Sequence, residues 1–171
     1  MANDQEFDPA LEEASDQPTS MQAIVADGVV GAIGGFTGTA IMTVVLLVAS
    51  TVGGFDMNSF ATLAELVGAD AILGEEMTVA AGYFIFLGGG MTTWPLLFAS
   101  LGSFLPGEQF ATRGLPFGFV LWTGFSLAFY DGRSGLALVL YLVFTLVAHL
   151  VYGFALGSVF DYLSKRTETL V

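Results

Sequence analysis

The sequence predicts an all-α integral membrane protein: a four-helix bundle with a short interfacial helix between helices one and two. Of its 171 residues, 54% are hydrophobic and only 12% are charged, about half the charged fraction of an ordinary soluble domain. The hydrophobic residues lie in four long runs, and the charges lie at the ends of the runs and between them. Such runs must be helical in lipid, because a helix satisfies its own backbone polar groups and none of these runs alternates like a barrel strand.

The chain begins with an acidic tail. Residues 1–20 carry six acids, no base and two prolines, so they cannot bury a core and are predicted to be disordered. The four-helix transmembrane domain is predicted over residues 21–164. Its first helix is placed at about residues 23–54, which contain a charge-free stretch longer than the roughly 20 residues that cross a bilayer core.

The segment after helix one is acidic, but it carries a helical pattern. Three apolar residues recur at helical spacing: Phe60, Leu63 and Val67. Asp56 or Asn58 would cap the start of this helix and Gly68 its end. We expect a short amphipathic helix on the membrane surface, with a solvated loop as the alternative.

Helix two is predicted at about residues 77–105. It contains the triplet Gly88-Gly89-Gly90, followed by Trp94-Pro95. Proline lacks the backbone donor of a regular helix, so Pro95 predicts a kink about one turn upstream, near the glycines.

Helices three and four are predicted at about residues 114–130 and 135–163, with a short polar tail at 165–171. The connection between them is very short, which predicts an antiparallel hairpin. Four crossings place both termini on one side of a multi-pass protein. Arg113, Lys165 and Arg166 would share that side and Arg133 would lie opposite, so both termini are predicted to be cytoplasmic and the protein to lie in the cell (plasma) membrane.

Small residues provide a candidate packing surface. Helix one carries Gly31, Gly35 and Gly38 on one face, and helix four carries Gly153 and Gly157. Such spacing lets helix backbones approach closely. Two interpretations stay open: helices one and four pack together within the chain, or these faces contact another subunit.

Helix four carries the candidate polar intramembrane site, formed by His149 with Tyr152 and Thr145. An ionisable group at membrane depth is a functional hypothesis by default. His149 would bind a quinone, relay a proton or ligate haem iron. The structural alternative is a neutral histidine bonded to a threonine, a tyrosine or a backbone carbonyl. One histidine excludes a bis-histidine haem within the chain.

Several classes of site find no support in the sequence. There is no cysteine, which excludes disulfides, thiolate metal sites and a cysteine nucleophile. No arrangement of Ser, His and Asp supports nucleophilic catalysis, and the glycine triplet lacks the Lys and Ser/Thr of a phosphate loop. We therefore expect no enzyme activity, no metal and no cofactor.

The net charge is −12, from sixteen acids and four bases. It argues against a nucleic-acid partner, which needs a basic surface. Excess acid with a single lysine, Lys165, indicates a salt-adapted host, in which screening removes the self-repulsion. The alternative is that the acidic tail alone skews the count.

Three segments resemble a known family: GGFTGTAIM in helix one, GGGMTTWPLLFASLGSFLPG in helix two and AHLVYGFALG in helix four. They are similar to small four-helix membrane proteins of haloarchaea whose function is unknown. The resemblance covers about residues 25 to 163, and its most distinctive part is His149, Tyr152 and Gly153. It implies an association with haem–copper terminal oxidases and brings no catalytic residue.

These observations together predict a non-catalytic accessory or structural subunit of a multi-subunit membrane complex, and the resemblance implies that this complex is a respiratory terminal oxidase. The expected partners are the lipid bilayer and other membrane subunits. Two alternatives belong to other classes: a small permease or channel along the kinked second helix, and a haem or quinone carrier that uses His149.

Overall fold

The computed structural model describes residues 21–167, with side chains for residues 28–74 and 77–163. The acidic tail and residues 168–171 lie outside this range, so the prediction for the tail stays a prediction. The six α-helices of the described range are α1 (Met21–Thr51), α2 (Ala61–Leu66), α3 (Glu75–Met91), α4 (Thr93–Leu101), α5 (Phe110–Ala128) and α6 (Gly135–Thr167). Short 3₁₀ turns occur at Met57–Phe60, Ala69–Ala71 and Gly102–Phe104.

Three segments are long and apolar enough to cross a membrane: Gly28–Thr51, Met77–Phe104 and Gly135–Leu163. The all-helical class is therefore confirmed, and the chain is a membrane protein. Helix α5 does not reach the same standard of length and composition. Its 19 residues include Arg113 and Pro116 among small and polar residues, which dilute its hydrophobic content.

The helices form an arc that starts at α3–α4 and continues through α1 and α6 to α5. Helix α6 packs along α5 on one side and along α1 on the other, and α1 also contacts α3 and α4. Between α5 and α3–α4, aromatic side chains bridge the two ends of the arc. Phe86 lies 6.2 Å from Phe125 and Phe98 lies 5.0 Å from Phe117, measured between ring centroids. This side of the bundle is where the helices leave space.

The second membrane segment is broken. Helix α3 ends at Met91 and α4 begins at Thr93, and Thr92 between them has φ −121° and ψ −66°. Pro95 cannot donate to the carbonyl of Met91, so the helical hydrogen bonds are interrupted here. The break at Thr92 lies three residues before Pro95 and two residues after the last glycine of the triplet.

The glycine faces pack in a different arrangement from the one that we expected. Helices α1 and α6 do lie together, but Gly34 and Gly38 of α1 contact Leu156 and Tyr152 of α6. The remaining glycines of that face, Gly31 and Gly35, lie against Pro95 and Gly90.

Gly153 and Gly157 of α6 do not face α1. A Cβ at Gly153 would overlap the carbonyl of Gly114 on α5, and one at Gly157 would overlap the carbonyl of Phe110. The two glycines instead let the backbone of α5 approach α6 closely, because neither has a side chain that would hold the helices apart.

The segment between α1 and α3 contains a short helix whose apolar residues pack on the bundle. The carboxylate of Asp56 accepts from the backbone N–H of Asn58 at the start, and Gly68 ends α2 with φ +72°. Phe60 and Ala64 are fully buried, whereas Val67 is 66% exposed. Of the three residues at helical spacing, Phe60 therefore packs into the bundle and Val67 stays on its surface.

Candidate functional site: a cavity beside His149

The space between α5 and α3–α4 forms a cavity of about 550 Å³. Its lining residues are Thr39, Met42, Leu63, Ile85, Phe86, Gly89, Gly90, Trp94, Leu97, Val120, Leu121, Thr123, Gly124, Phe125, Ala128, Phe129, His149 and Tyr152. Helices α1 and α6 contribute the buried residues at its base, and α3, α4 and α5 contribute its walls. The cavity is thus the direct result of the open arc of helices.

The mouth of the cavity opens on the outer surface of the bundle, between α5 and α3–α4. Its walls include side chains that are partly exposed: Ile85 and Trp94 at 38%, and Val120 at 60%. Residues of all three identified membrane segments and of α5 line it. The cavity is therefore an apolar opening in the side of the bundle.

His149 lies at the base of the cavity and is 4% exposed. Its Nδ1 is 2.7 Å from the backbone carbonyl oxygen of Thr145, which can only accept, so Nδ1 carries the proton. Its ring packs against Phe125 with a centroid distance of 4.6 Å. In the neutral ring Nε2 is then an acceptor, and it has no hydrogen-bond partner among the described residues.

Thr145 supports His149 from one turn away and does not line the cavity. Its hydroxyl donates to the carbonyl of Tyr141 at 2.6 Å and accepts from the indole N–H of Trp122 at 3.0 Å. Both capacities of the hydroxyl are therefore used within the protein. Thr145 holds α5 against α6 and leaves no group for a ligand.

Tyr152 connects α6 to the broken segment. Its hydroxyl donates to the carbonyl of Gly90 at 2.9 Å, and both residues are buried. Close to the break at Thr92 the backbone needs partners from outside the helix, and Tyr152 supplies one of them. The side chain thereby fixes the wall of the cavity that α3 forms.

Thr39 is a member of the site that sequence reasoning missed. It is 1% exposed, lines the cavity, and its hydroxyl is buried without a hydrogen-bond partner. The threonines at positions 37 and 43 of α1 bond the carbonyl four residues earlier, as is usual in helices. Its place on the glycine-rich face of α1 was the available signal, but threonines on such faces most often serve packing.

The polar groups that line the cavity are neutral, since no Asp, Glu, Lys or Arg is among its lining residues. No group of three His, Asp or Glu that would hold a metal lies together within the described part of the chain. The unprotonated Nε2 of His149 is competent to ligate a metal. A haem, however, would bring two propionates into a cavity whose wall offers no cation to pair with them.

Residues 25–171 match the family of unknown function DUF6789, and the chain belongs to this family. No curated protein and no solved structure matches the chain.

Proposed function

We propose that this chain binds a neutral, lipid-soluble small molecule that enters its cavity sideways from the bilayer. The observation that carries this proposal is the cavity itself: it opens between α5 and α3–α4 and ends at two buried polar groups, His149 and Thr39. Its volume of about 550 Å³ lies within the range of small-molecule sites in proteins.

The lining favours a ligand that is mostly apolar. Aromatic, aliphatic and glycine residues form the walls, so a ligand that enters from lipid would be held by van der Waals contacts with them. A charged headgroup would lie here without a counter-ion, which costs several kcal/mol. Neutral molecules with an alkyl, isoprenoid or aromatic body meet both conditions.

The proposed route into the site requires that α5 crosses the membrane as a fourth span. Support comes from its antiparallel packing on α6. Asp161 near the end of α6 contacts the start of α5, and Tyr141 near the start of α6 donates to the carbonyl of Ser126 near the end of α5. Nineteen residues of helix extend about 28 Å, close to the thickness of the hydrocarbon core. We further propose cytoplasmic termini and the plasma membrane, from the distribution of basic residues.

The test uses the full chain in phospholipid nanodiscs and a pair of glycines from one triplet. Gly89 lines the cavity, whereas Gly88 does not line it and has open space around it. The probe is 1-bromo-4-nonylbenzene, whose bromine quenches tryptophan fluorescence, and Trp94 lies in the cavity wall. We expect saturable quenching in the wild type, and Gly89→Leu should weaken it about tenfold because the added side chain occupies the space of the probe.

Gly88→Leu is the matched control, since it makes the same change in helix propensity and hydrophobicity on the outside of α3. It should bind the probe as the wild type does. Quenching that never saturates, or that is equal in both variants, would show that the probe only dissolves in the lipid and would contradict the proposed function.

The accessory-subunit role in a respiratory terminal oxidase stays a prediction, as does a salt-adapted host. Both rest on the resemblance and on composition, and the cavity is compatible with them, because a subunit can hold a lipid-soluble molecule for its complex. Native purification at high salt separates these roles: co-migrating oxidase subunits favour the accessory role, and their absence favours a protein that acts alone.

A further inference from the structure

We infer that the cavity selects molecules whose headgroup donates a hydrogen bond, that is, hydroxyl-bearing lipids or phenols in preference to their ethers and ketones. The inference rests on the proposed function and narrows its ligand class. It follows from the hydrogen-bonding capacity that remains at the base of the cavity after the contacts within the protein are assigned.

The first group is the imidazole of His149. Because Nδ1 donates to the carbonyl of Thr145, the free nitrogen of the neutral ring is an acceptor. A second proton would make the ring a cation in a wall that carries no carboxylate, at a depth where charge is costly. A ligand that donates a hydrogen bond can therefore pair with Nε2, whereas a ligand without a donor leaves this nitrogen without a hydrogen bond.

The second group is the hydroxyl of Thr39 on α1, which is buried without a partner. Thr39 lines the cavity, but its Oγ1 is itself inaccessible and lies against the backbone of Gly90. The selection for a hydrogen-bond donor therefore depends on Nε2 of His149.

The other polar side chains near the base are already in use. The hydroxyl of Tyr152 donates to the carbonyl of Gly90, and the indole N–H of Trp122 donates to Thr145. The indole N–H of Trp94 is a further donor in the wall, but that residue is 38% exposed and lies at the mouth. Among the described residues, the deep end of the cavity therefore offers one open acceptor, Nε2 of His149, and a ligand hydroxyl complements it.

The experiment compares two probes that differ in one donor: 4-nonylphenol and its methyl ether, 4-nonylanisole. Both are titrated into the full chain in nanodiscs by calorimetry, with partition into empty nanodiscs subtracted. We expect the phenol to bind about five- to tenfold more tightly, the value of one net hydrogen bond to a buried acceptor. His149→Leu should remove this preference, whereas Thr43→Val, a threonine substitution in α1 away from the cavity, should keep it.

The single histidine of the chain gives a second readout that needs no variant. In ¹⁵N spectra of His149, the phenol should shift the Nε2 resonance toward the value of a hydrogen-bonded acceptor, and the ether should not. Equal affinity for the two probes with an unchanged Nε2 signal would overturn this inference but leave the proposed function intact. Saturable binding of neither probe would overturn both.

Discussion

At the scale of single residues, Arg133 shows how one side chain joins three parts of the chain. It forms an ion pair with Asp131 in the turn before α6, and it donates to the carbonyl of Gly54 after α1 at 3.0 Å. Its guanidinium also lies 4.4 Å from the centre of the Tyr141 ring. Arginine suits this place because its planar group donates in several directions and also stacks on aromatic rings.

The same pair predicts a pH dependence. The hydrogen bond and charge of Arg133 lower the pKa of Asp131 from 3.8 to about 2. A lowered pKa means that the folded state favours the ionised carboxylate, so the stabilisation is complete above the unfolded pKa of 3.8 and is lost as the pH falls toward 2. Thermal unfolding in detergent should show that the stability advantage of wild type over Asp131→Asn is constant above about pH 5 and disappears near the folded pKa.

Asp70→Asn serves as the control for this measurement, because it removes the same charge from an exposed turn. The difference in stability between wild type and Asp70→Asn should not show this loss at low pH. An advantage of Asp131 that is independent of pH down to the folded pKa would contradict the assigned ion pair.

At the scale of elements, the start of α5 depends on a residue of another helix. The backbone N–H groups of Phe110 and Ala111 donate to the two carboxylate oxygens of Asp161 on α6, at 3.0 and 2.8 Å. The first amides of a helix have no partner within it, and a negative charge there also opposes the helix dipole favourably.

Removal of this cap should loosen α5. Asp161→Ala is expected to lower the free energy of unfolding by about 1–2 kcal/mol and to speed hydrogen exchange at the amides of Phe110 and Ala111. Asp161→Asn keeps one acceptor oxygen, so its free energy of unfolding should lie between those of the wild type and Asp161→Ala. If Asp161→Ala has wild-type stability and exchange, the carboxylate does not cap the helix.

At the scale of the whole molecule, the open arc of helices determines the site. Backbone-close packing at Gly114 and Gly153 holds α5 to α6, and packing at Gly35 and Gly90 holds α3 to α1. Among the described residues, α5 and α3–α4 share no such glycine contact and are bridged by aromatic rings, so the cavity remains between these helices. Because α5 forms one wall of the cavity, the position of the cavity in the membrane depends on whether α5 crosses the bilayer.

Cysteine labelling tests that crossing, because the chain has no cysteine of its own. Glu108 and Ser134 are exposed residues in the connections at the two ends of α5. In oriented vesicles, Glu108→Cys and Ser134→Cys should react with a membrane-impermeant maleimide from opposite sides. Labelling of both positions from the same side would exclude the fourth span, and with it a cavity enclosed at membrane depth.

The elements could be predicted from sequence because lipid imposes a local condition. Long charge-free runs must coil wherever they are, and Pro95 must interrupt its helix whatever lies beside it. The exposure of Val67 and the exact position of the break at Thr92 depend on tertiary contacts and could not be predicted. Phe60 packs toward the core, and Tyr152 supports the broken backbone. Part of the candidate site could be identified from the sequence. His149 and Tyr152 stood out as polar residues within a predicted span, whereas Thr39 did not.

The sequence by itself determined that lipid surrounds this protein, that its fold is helical, and that its one histidine lies near the centre of a span. Tertiary structure alone decided which glycine faces meet, that Asp161 caps α5, and that Thr39 and His149 line one cavity. The physical reason is the range over which the interactions act. Hydrophobicity and backbone hydrogen bonding act within one segment. A cavity and its unpaired polar atoms form only between segments, where small changes in packing decide which groups find hydrogen-bond partners.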